Sequence, residues 1–408
     1  MNYDLYETRK SETTLRLGAN SIGSIKASDI TRTNLRRFED GKIFSSSRLG
    51  QASRNVLLEE TRKWAGPGIE HHYGFAKPVT ESRDGIEVSQ DVLMDFEESV
   101  ADLVRRFPKF VFSGNCSIER RQVSLQSDYG VELNSRGDVC HWILWYQRKG
   151  SGSILDGLIS QSSTFPAIKR NLEQHEEFLD AQKNEVSLKA GRMPVIFYEP
   201  LMPLEKLNES LLVHLYCEGA CLFAGRMGEP LFSPKLTLLD RAYMPEFGQI
   251  EFFDGEGVVR TTDDLVLIEN GRIVNLMADL RFGHKFLRSS SGNGVRDAIG
   301  GVRLRARQLC LAKGEVPWRK VVSHLDRCLV VFVATGGDTN DLGEFSTPVQ
   351  IGYVFEKGRL IGRAPQLTVK SSITDYLGKN LVEICSDGVN AFSPSASVVS
   401  EMEIFLND

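Results

Sequence analysis

The sequence predicts an α+β fold in two parts. Residues 1–190 read as an α/β-type domain of strands and two to three helices, and residues 191–408 as an antiparallel β-barrel or sandwich. Three observations predict this. Two amphipathic helical stretches sit among β-patterned runs in the first half. Beyond Val258 the chain is a series of short apolar runs separated by Gly-containing turns, the pattern of antiparallel sheet. Between the halves, Ser187-Leu188-Lys189-Ala190-Gly191 has the polar and small residues of a boundary. A length of 408 residues suits two domains.

Taken in order, the first ten residues are polar and are expected to fray. From Thr13 to Ser47 the pattern is β: Leu15 and Leu17 alternate, Ile22, Ile25, Leu35 and Phe38 follow, and Glu39-Asp40-Gly41 turns the chain toward Ile43-Phe44. A helix is expected from Ser53 to Trp64, stopped by Gly66-Pro67-Gly68, then a loop holding His71-His72. From Gln90 to Phe107, Val92, Leu93, Phe96, Val100, Leu103 and Val104 recur at helical spacing, with Ser89 as cap and Pro108 as stop. Strands fill Lys109 to Gln147, with turns expected at Ser127–Gly130 and again at Asn134-Ser135-Arg136-Gly137-Asp138. A Gly/Ser-rich connection, 149–163, leads to a charged helix from Phe165 to Asn184, on which His175 is expected to be solvated.

In the second half an apolar strand, Val195 to Tyr198, runs into a helix from Met202 to Glu218. A turn at Gly225-Arg226-x-Gly228, a strand from Lys235 to Leu239 and an acidic turn at Asp254-Gly-Glu-Gly257 follow. Leu265–Ile268 and Ile273–Met277 flank Glu269-Asn270-Gly271-Arg272, a strong hairpin signal. Strands at 330–334, 351–355 and 360–361, with a turn at Glu356–Arg359, complete the pattern.

Composition narrows the function classes. A formal net charge of −5 gives no support to phosphate neutralisation, so nucleic-acid binding is not expected. No apolar run approaches the ~18 residues of a membrane span and the start lacks a signal-peptide shape, so a cytoplasmic protein without membrane contact is expected. Seven cysteines, without a Cys-x-x-Cys pair, fit reduced and mostly buried thiols. Gly336-Gly337-Asp338 lacks the Gly-Lys-Ser/Thr of a P-loop, and no Gly-x-Ser-x-Gly elbow is present.

The order of motifs carries more than any one of them. Asn134-Ser135-x-Gly137, Pro194-Val195, Gly225-Arg226-x-Gly228-Glu229, Leu236-Thr237-Leu238-x-Asp240, Phe253-Asp254-x-Glu256-Gly257-Val258, Glu269-Asn270-Gly271 and Gly292-Asn293 follow one another as in the TldD/PmbA family. That family, once called modulators of DNA gyrase, comprises metallopeptidase subunits. The chain resembles it from roughly residue 15 to 380. The resemblance implies a similar two-part fold. Family members begin with a further helix before the first strand, which here is missing or very short, so the N-terminus is expected to be trimmed.

In the catalytic branch, the helix that follows the Pro-Val strand carries His-Glu-x-x-x-His: two imidazoles one turn apart reach one metal, and the glutamate activates the bound water. A C-terminal cysteine completes the zinc site as the resemblance has it. This sequence has no His-Glu-x-x-x-His motif, its one His-Glu pair (His175-Glu176) lying on a different helix without a second histidine, and the helix after the Pro-Val strand ends in Leu211-Leu212-Val213-His214-Leu215-Tyr216-Cys217-Glu218. The resemblance is therefore to the TldE/PmbA branch, which implies no catalytic residue and no cofactor on this chain. It implies zinc on a TldD-like partner in a heterodimer and a peptide substrate; a homodimer is the other arrangement. The alternative function is a divergent stand-alone hydrolase of a peptide or natural-product pathway, with a rebuilt site in the interdomain cleft; a binding or scaffold protein is a third reading.

The residues offer one rebuilt metal set. His214, Cys217, Glu218 and Cys221 stand at i, i+3, i+4 and i+7, so a continuous helix would stack them on one face, although Gly219 interrupts it and buried packing explains them as well. His71-His72 lacks a third ligand nearby, and His141 reads as a hydrogen-bonded core histidine. Arg281, His284, Lys285, Arg288, Arg296, Arg303, Arg305 and Arg307 form a basic region, 281–307, suited to a peptide carboxylate, an acidic partner face or plain solvent. Cys385 lies in the broad region of the family's cysteine ligand, but Glu383–Gly388 does not match that motif.

Overall fold

The structure, a computed structural model, describes residues 1–63, 66–153, 155–201, 204–337 and 339–407. Trp64 and Met202, where two of the expected helices end or begin, and Asp338 lie outside the described residues.

The first half holds β1 (Asn2–Gly18), β2 (Ser21–Glu39), β3 (Lys42–Leu49), α1 (Arg54–Lys63), β4 (Ile69–Glu70), β5 (Val79–Asp84), α2 (Asp91–Arg106), β6 (Phe110–Ser127), β7 (Val131–Arg148), β8 (Gly157–Ser163) and α3 (Ile168–Ala181). Its sheet runs β4-β3-β2-β1-β6-β7, and the far edge of β7 pairs with β5 in parallel and β8 antiparallel.

The long strands β1, β6 and β7 serve two cores, and alternation explains how. In β6 and β7 the even positions Phe110, Phe112, Cys140, Trp142 and Leu144 are buried under α2 and α3. The odd positions Val123, Leu125, Val131 and Leu133 are buried on the opposite face, against Phe252 and Phe253 of the second half. Burial changes face between Gly137 and Cys140. This corrects the expected turn at Asn134–Asp138: those polar residues lie within one unbroken strand, at the crossover. Gly137 is needed there because a Cβ would come within 2.8 Å of the Ile250 side chain. The first ten residues also depart from expectation: from Asn2 they pair with β2 and from Asp4 with β6 as well, within β1. Residues 149–163 likewise contain β8.

The second half holds β9 (Gly191–Phe197), α4 (Glu205–Ser210), α5 (Val213–Cys217), β10 (Leu238–Arg241), β11 (Asp264–Glu269), β12 (Arg272–Ile273), α6 (Leu280–Lys285), β13 (Gly294–Arg296), β14 (Val302–Leu304), β15 (Leu309–Leu311), α7 (Trp318–Ser323), β16 (Arg327–Ala334), β17 (Glu344–Glu356), β18 (Arg359–Arg363), β19 (Leu367–Ser372), β20 (Leu381–Ile384) and β21 (Val398–Leu406). The strands β16-β9-β21-β19-β17 close on themselves through β16–β17, giving the expected barrel. It is antiparallel except where β9 runs alongside β16. Alternate positions such as Val195, Phe197, Leu329 and Val331 pack with α4, α5 and the small sheet β12-β11-β10-β15. The intervening Ile196, Tyr198, Val330 and Tyr353 pack with α3 and α7.

Contact with α3 corrects the expectation for His175. The helix is covered on both sides, so His175 is buried, its Nε2 2.9 Å from the Tyr146 hydroxyl, and burial pushes its pKa down to about 3.

Candidate functional site

The helix expected from Met202 to Glu218 is broken in two. α4 stops at Ser210, Leu212 is extended at φ −84°, ψ 122°, and α5 starts at Val213. Leu211 and Val213 are both fully buried, a two-residue spacing that a helix cannot place on one face but an extended link can. Met277 takes over the backbone pairing: its N–H donates to the Leu211 carbonyl and its carbonyl accepts from Val213.

The break falls before His214, so His214, Cys217 and Glu218 keep their i, i+3, i+4 spacing in α5 and its cap, while the expected four-residue stack loses Cys221 beyond Gly219. His214 stacks on Phe282 of α6, ring centroids 4.6 Å apart. Cys217 is exposed, and Glu218 accepts from Lys285 Nζ at 2.6 Å. Gly219, at φ +74°, turns the chain before Cys221, whose thiol faces the Ser210 carbonyl. These donors do not make up a zinc set: Glu218 is paired with Lys285 and Cys221 lies beyond the Gly219 turn, which leaves His214 and Cys217 as a pair short of the four ligands zinc takes. Among the described residues, no three His, Cys, Asp or Glu side chains converge as metal ligands do.

The acidic motif residues converge instead on loop backbone. Asp254 Oδ1 accepts from the Glu256 and Val258 N–H groups and Oδ2 from Gly294, all at 2.9 Å. Gly255 donates back to the Gly294 carbonyl, and Arg296 Nε to the Gly255 carbonyl. The 253–258 and 292–296 segments thus clasp each other so closely that a Cβ on Gly294 would fall 2.7 Å from the Glu256 carboxylate. Asp240 accepts from the N–H groups of Arg307 and Gln308, from Arg260 Nη2 and from Asn293 Nδ2. Glu256 Oε2 accepts from Leu280 N–H, and Asp279 caps α6 through Phe282 N–H.

Three carboxyls are thereby enclosed together. Burial raises the pKa of Asp254, Glu256 and Asp279, and the Asp254 charge adds to it at Glu256, which is pushed up to about 8. Asp4, from the other half, lies nearby with the opposite outcome. Burial alone would raise it, but the guanidiniums of Arg296 and Arg36 hold it below its ordinary value. Its carboxylate takes Arg36 at 2.5 Å and Arg296 at 3.0 Å, tying β1 to β13.

Beside this clasp opens a cleft of about 810 Å³ between the 74–79 loop of the first half and α6 with residues 257–265 and 288–291 of the second. Phe75, Val258, Val259 and Leu280 line it, and Lys77, His284 and Arg288 stand exposed around it. The basic region 281–307 is thus divided: Arg296 and Arg307 are buried and spent on internal carboxylates and carbonyls, whereas Arg281, His284 and Arg288 reach solvent.

The other candidates are dispersed. His71 packs among Phe38, Tyr73 and Phe75, and His72 pairs with Glu70. His141 Nδ1 lies 2.8 Å from Ser162 Oγ, and Cys385 is buried with Trp318 and Cys328. Asp4, Arg36 and Arg296 as a unit escaped sequence reasoning. The available signal was the alternation in β1 that puts Asp4 and Tyr6 on one inward face.

Comparison with known proteins identifies the family and the fold. A family profile described as the PmbA/TldA metallopeptidase C-terminal domain matches residues 190–404. A metalloprotease of Archaeoglobus fulgidus is 20% identical over 352 residues, 83% of this chain and 79% of that protein. The fold is that of TldE from Thermococcus kodakarensis, at a TM-score of 0.87 and 18% identity over 99% of this chain and 96% of that one. A candidate modulator of a DNA gyrase from Thermotoga maritima superposes at a TM-score of 0.82, with 17% identity over 99% and 96% of the two chains.

Proposed function

We propose, because the chain belongs to the PmbA/TldA metallopeptidase family, that it is the non-catalytic TldE/PmbA-type subunit of a peptide-processing heterodimer. Zinc and the His-Glu-x-x-x-His motif then reside on a TldD-like partner. One observation carries this reading: the segment Glu205–Cys217, where the catalytic branch keeps its ligands, holds a single histidine and is broken at Leu211-Leu212. A helix interrupted there cannot present two ligands one turn apart. On this reading the acidic motif residues serve shape: Asp240, Asp254 and Glu256 fix the loops that form one wall of the cleft, and Lys77, His284 and Arg288 offer positive charge to a peptide carboxylate or an acidic partner surface.

Co-expression with a TldD-type subunit, followed by size exclusion, metal analysis and a peptide-cleavage assay, tests the proposal. The expected result is a one-to-one complex with one zinc per heterodimer and cleavage unaffected by His214→Ala. Stoichiometric zinc and peptidase activity on the isolated chain, lost in His214→Ala, would overturn it in favour of a stand-alone hydrolase.

A further inference from the structure

The cleft beside the clasp, of about 810 Å³, combines two kinds of surface. Its apolar wall is open to a ligand: Phe75, Val259 and Leu265 line it and are each only half-buried. Its rim is basic. Lys77, His284 and Arg288 are exposed there, and among the described residues none of the three side chains has a hydrogen-bond or ion-pair partner. The other charges on the wall are spent. Arg260 bonds Asp240 and Asn293, and Asp264, the one carboxylate lining the cleft among the described residues, faces Arg241 at 3.1 Å. Charge of one sign is thus left over beside open apolar surface, in a chain whose formal net charge is −5. The Thr261 and Ser289 hydroxyls, exposed on the same lining, are equally uncommitted.

We propose that the cleft holds the C-terminal end of a peptide whose last residue is apolar. That side chain lies against Phe75, Val259 and Leu265, and the free carboxylate sits among Lys77, His284 and Arg288. A guanidinium presents two parallel donors to a carboxylate, and apolar walls that displace water make the attraction stronger than at an open surface. The Thr261 and Ser289 hydroxyls serve the peptide amides, which a simple fatty carboxylate does not have. Lys77 belongs to the first half and His284 and Arg288 to the second, so a bound peptide end spans both. The inference rests on the subunit reading for its peptide and gives this chain a part in it: anchoring the end of the substrate.

Calorimetric titration of the full chain at low salt tests this, with N-acetyl-Gly-Gly-Leu, its C-terminal amide, N-acetyl-triglycine and octanoate as probes. The leucine acid is expected to bind at least about tenfold more tightly than the other three, which lack the charge, the side chain or the amides. Lys77→Gln and Arg288→Gln should each weaken it about tenfold with Tm unchanged, since both side chains are exposed, and Arg288→Lys should restore part of the loss. Equal affinity for acid and amide, unchanged affinity in both glutamine variants, or no heat at tens of millimolar would overturn the proposal. Octanoate binding as tightly as the peptide would also overturn it, in favour of a fatty carboxylate. A chain that binds the leucine acid yet forms no complex with a TldD-type subunit leaves this site standing and sinks the subunit reading. Glutamine variants that lose that complex, in a chain that binds no peptide, do the reverse and assign the cleft to an acidic partner face.

Discussion

Glu256 shows how far the surroundings can move a single residue. Among the described residues its carboxyl has the Leu280 N–H as its one close donor; it stands two positions from Asp254 in the same segment and has Arg36 at 3.9 Å. With a folded-state pKa of about 8 against an ordinary 4.5, the folded chain holds this proton more tightly than the unfolded chain does. The resulting stability is complete below pH ~4.5 and is lost as pH rises through about 8, on the order of a few kcal/mol. Glu256→Gln keeps the acceptor and removes the proton. Its Tm should accordingly fall less than that of the wild type between pH 5 and 8.5; parallel curves in differential scanning would refute the assignment.

At the scale of elements, two turns separate backbone strain from crowding. Gly219, which ends the α5 region, and Gly271, in the β11–β12 hairpin, have nearly the same conformation, φ +74° and +75°. A Cβ on Gly219 meets nothing within 4 Å, whereas one on Gly271 would fall 2.3 Å from the Phe232 carbonyl oxygen. Gly219→Ala should cost only the left-handed strain, about 1 kcal/mol. Gly271→Ala should cost at least ~2 kcal/mol more, as the 228–233 segment must move. Urea unfolding of the two variants gives the comparison directly, and equal losses would show that the Phe232 carbonyl yields freely. The hairpin was legible in the sequence because Asn-Gly names its own turn. The α4–α5 break was not, because Leu211-Leu212-Val213 reads as good helix until Met277, 64–66 residues later, competes for its hydrogen bonds.

Across the whole molecule the two halves are joined by charge and by apolar packing. Arg296 is fully buried on Asp4, over the Tyr6 ring, while Phe252 and Phe253 fill the opposite face of the first sheet. Asp4→Asn leaves two buried guanidiniums without their counter-charge and should cost about 3–5 kcal/mol. Because the pair spans both halves, the loss should appear in one shared unfolding transition. If instead one half of the variant melts early while the other keeps the wild-type Tm in calorimetry, the coupling is refuted.

The sequence by itself determined the class of each half, the long strands, α2, the hairpin turns and the family order of Asp240, Asp254, Glu256 and Asn293, because periodicity and turn chemistry are local properties. It also determined that no His-Glu-x-x-x-His motif exists, which is a matter of reading. Only the tertiary structure decided what those residues do. Asp4 and Arg296 stand 292 positions apart, His175 is buried by a barrel strand laid down long after it, and the shift of burial along β6 and β7 depends on Phe252 and Phe253. Burial and charge pairing are sums over neighbours that chain order does not reveal, so the same kind of carboxyl ends depressed at Asp4 and raised at Glu256.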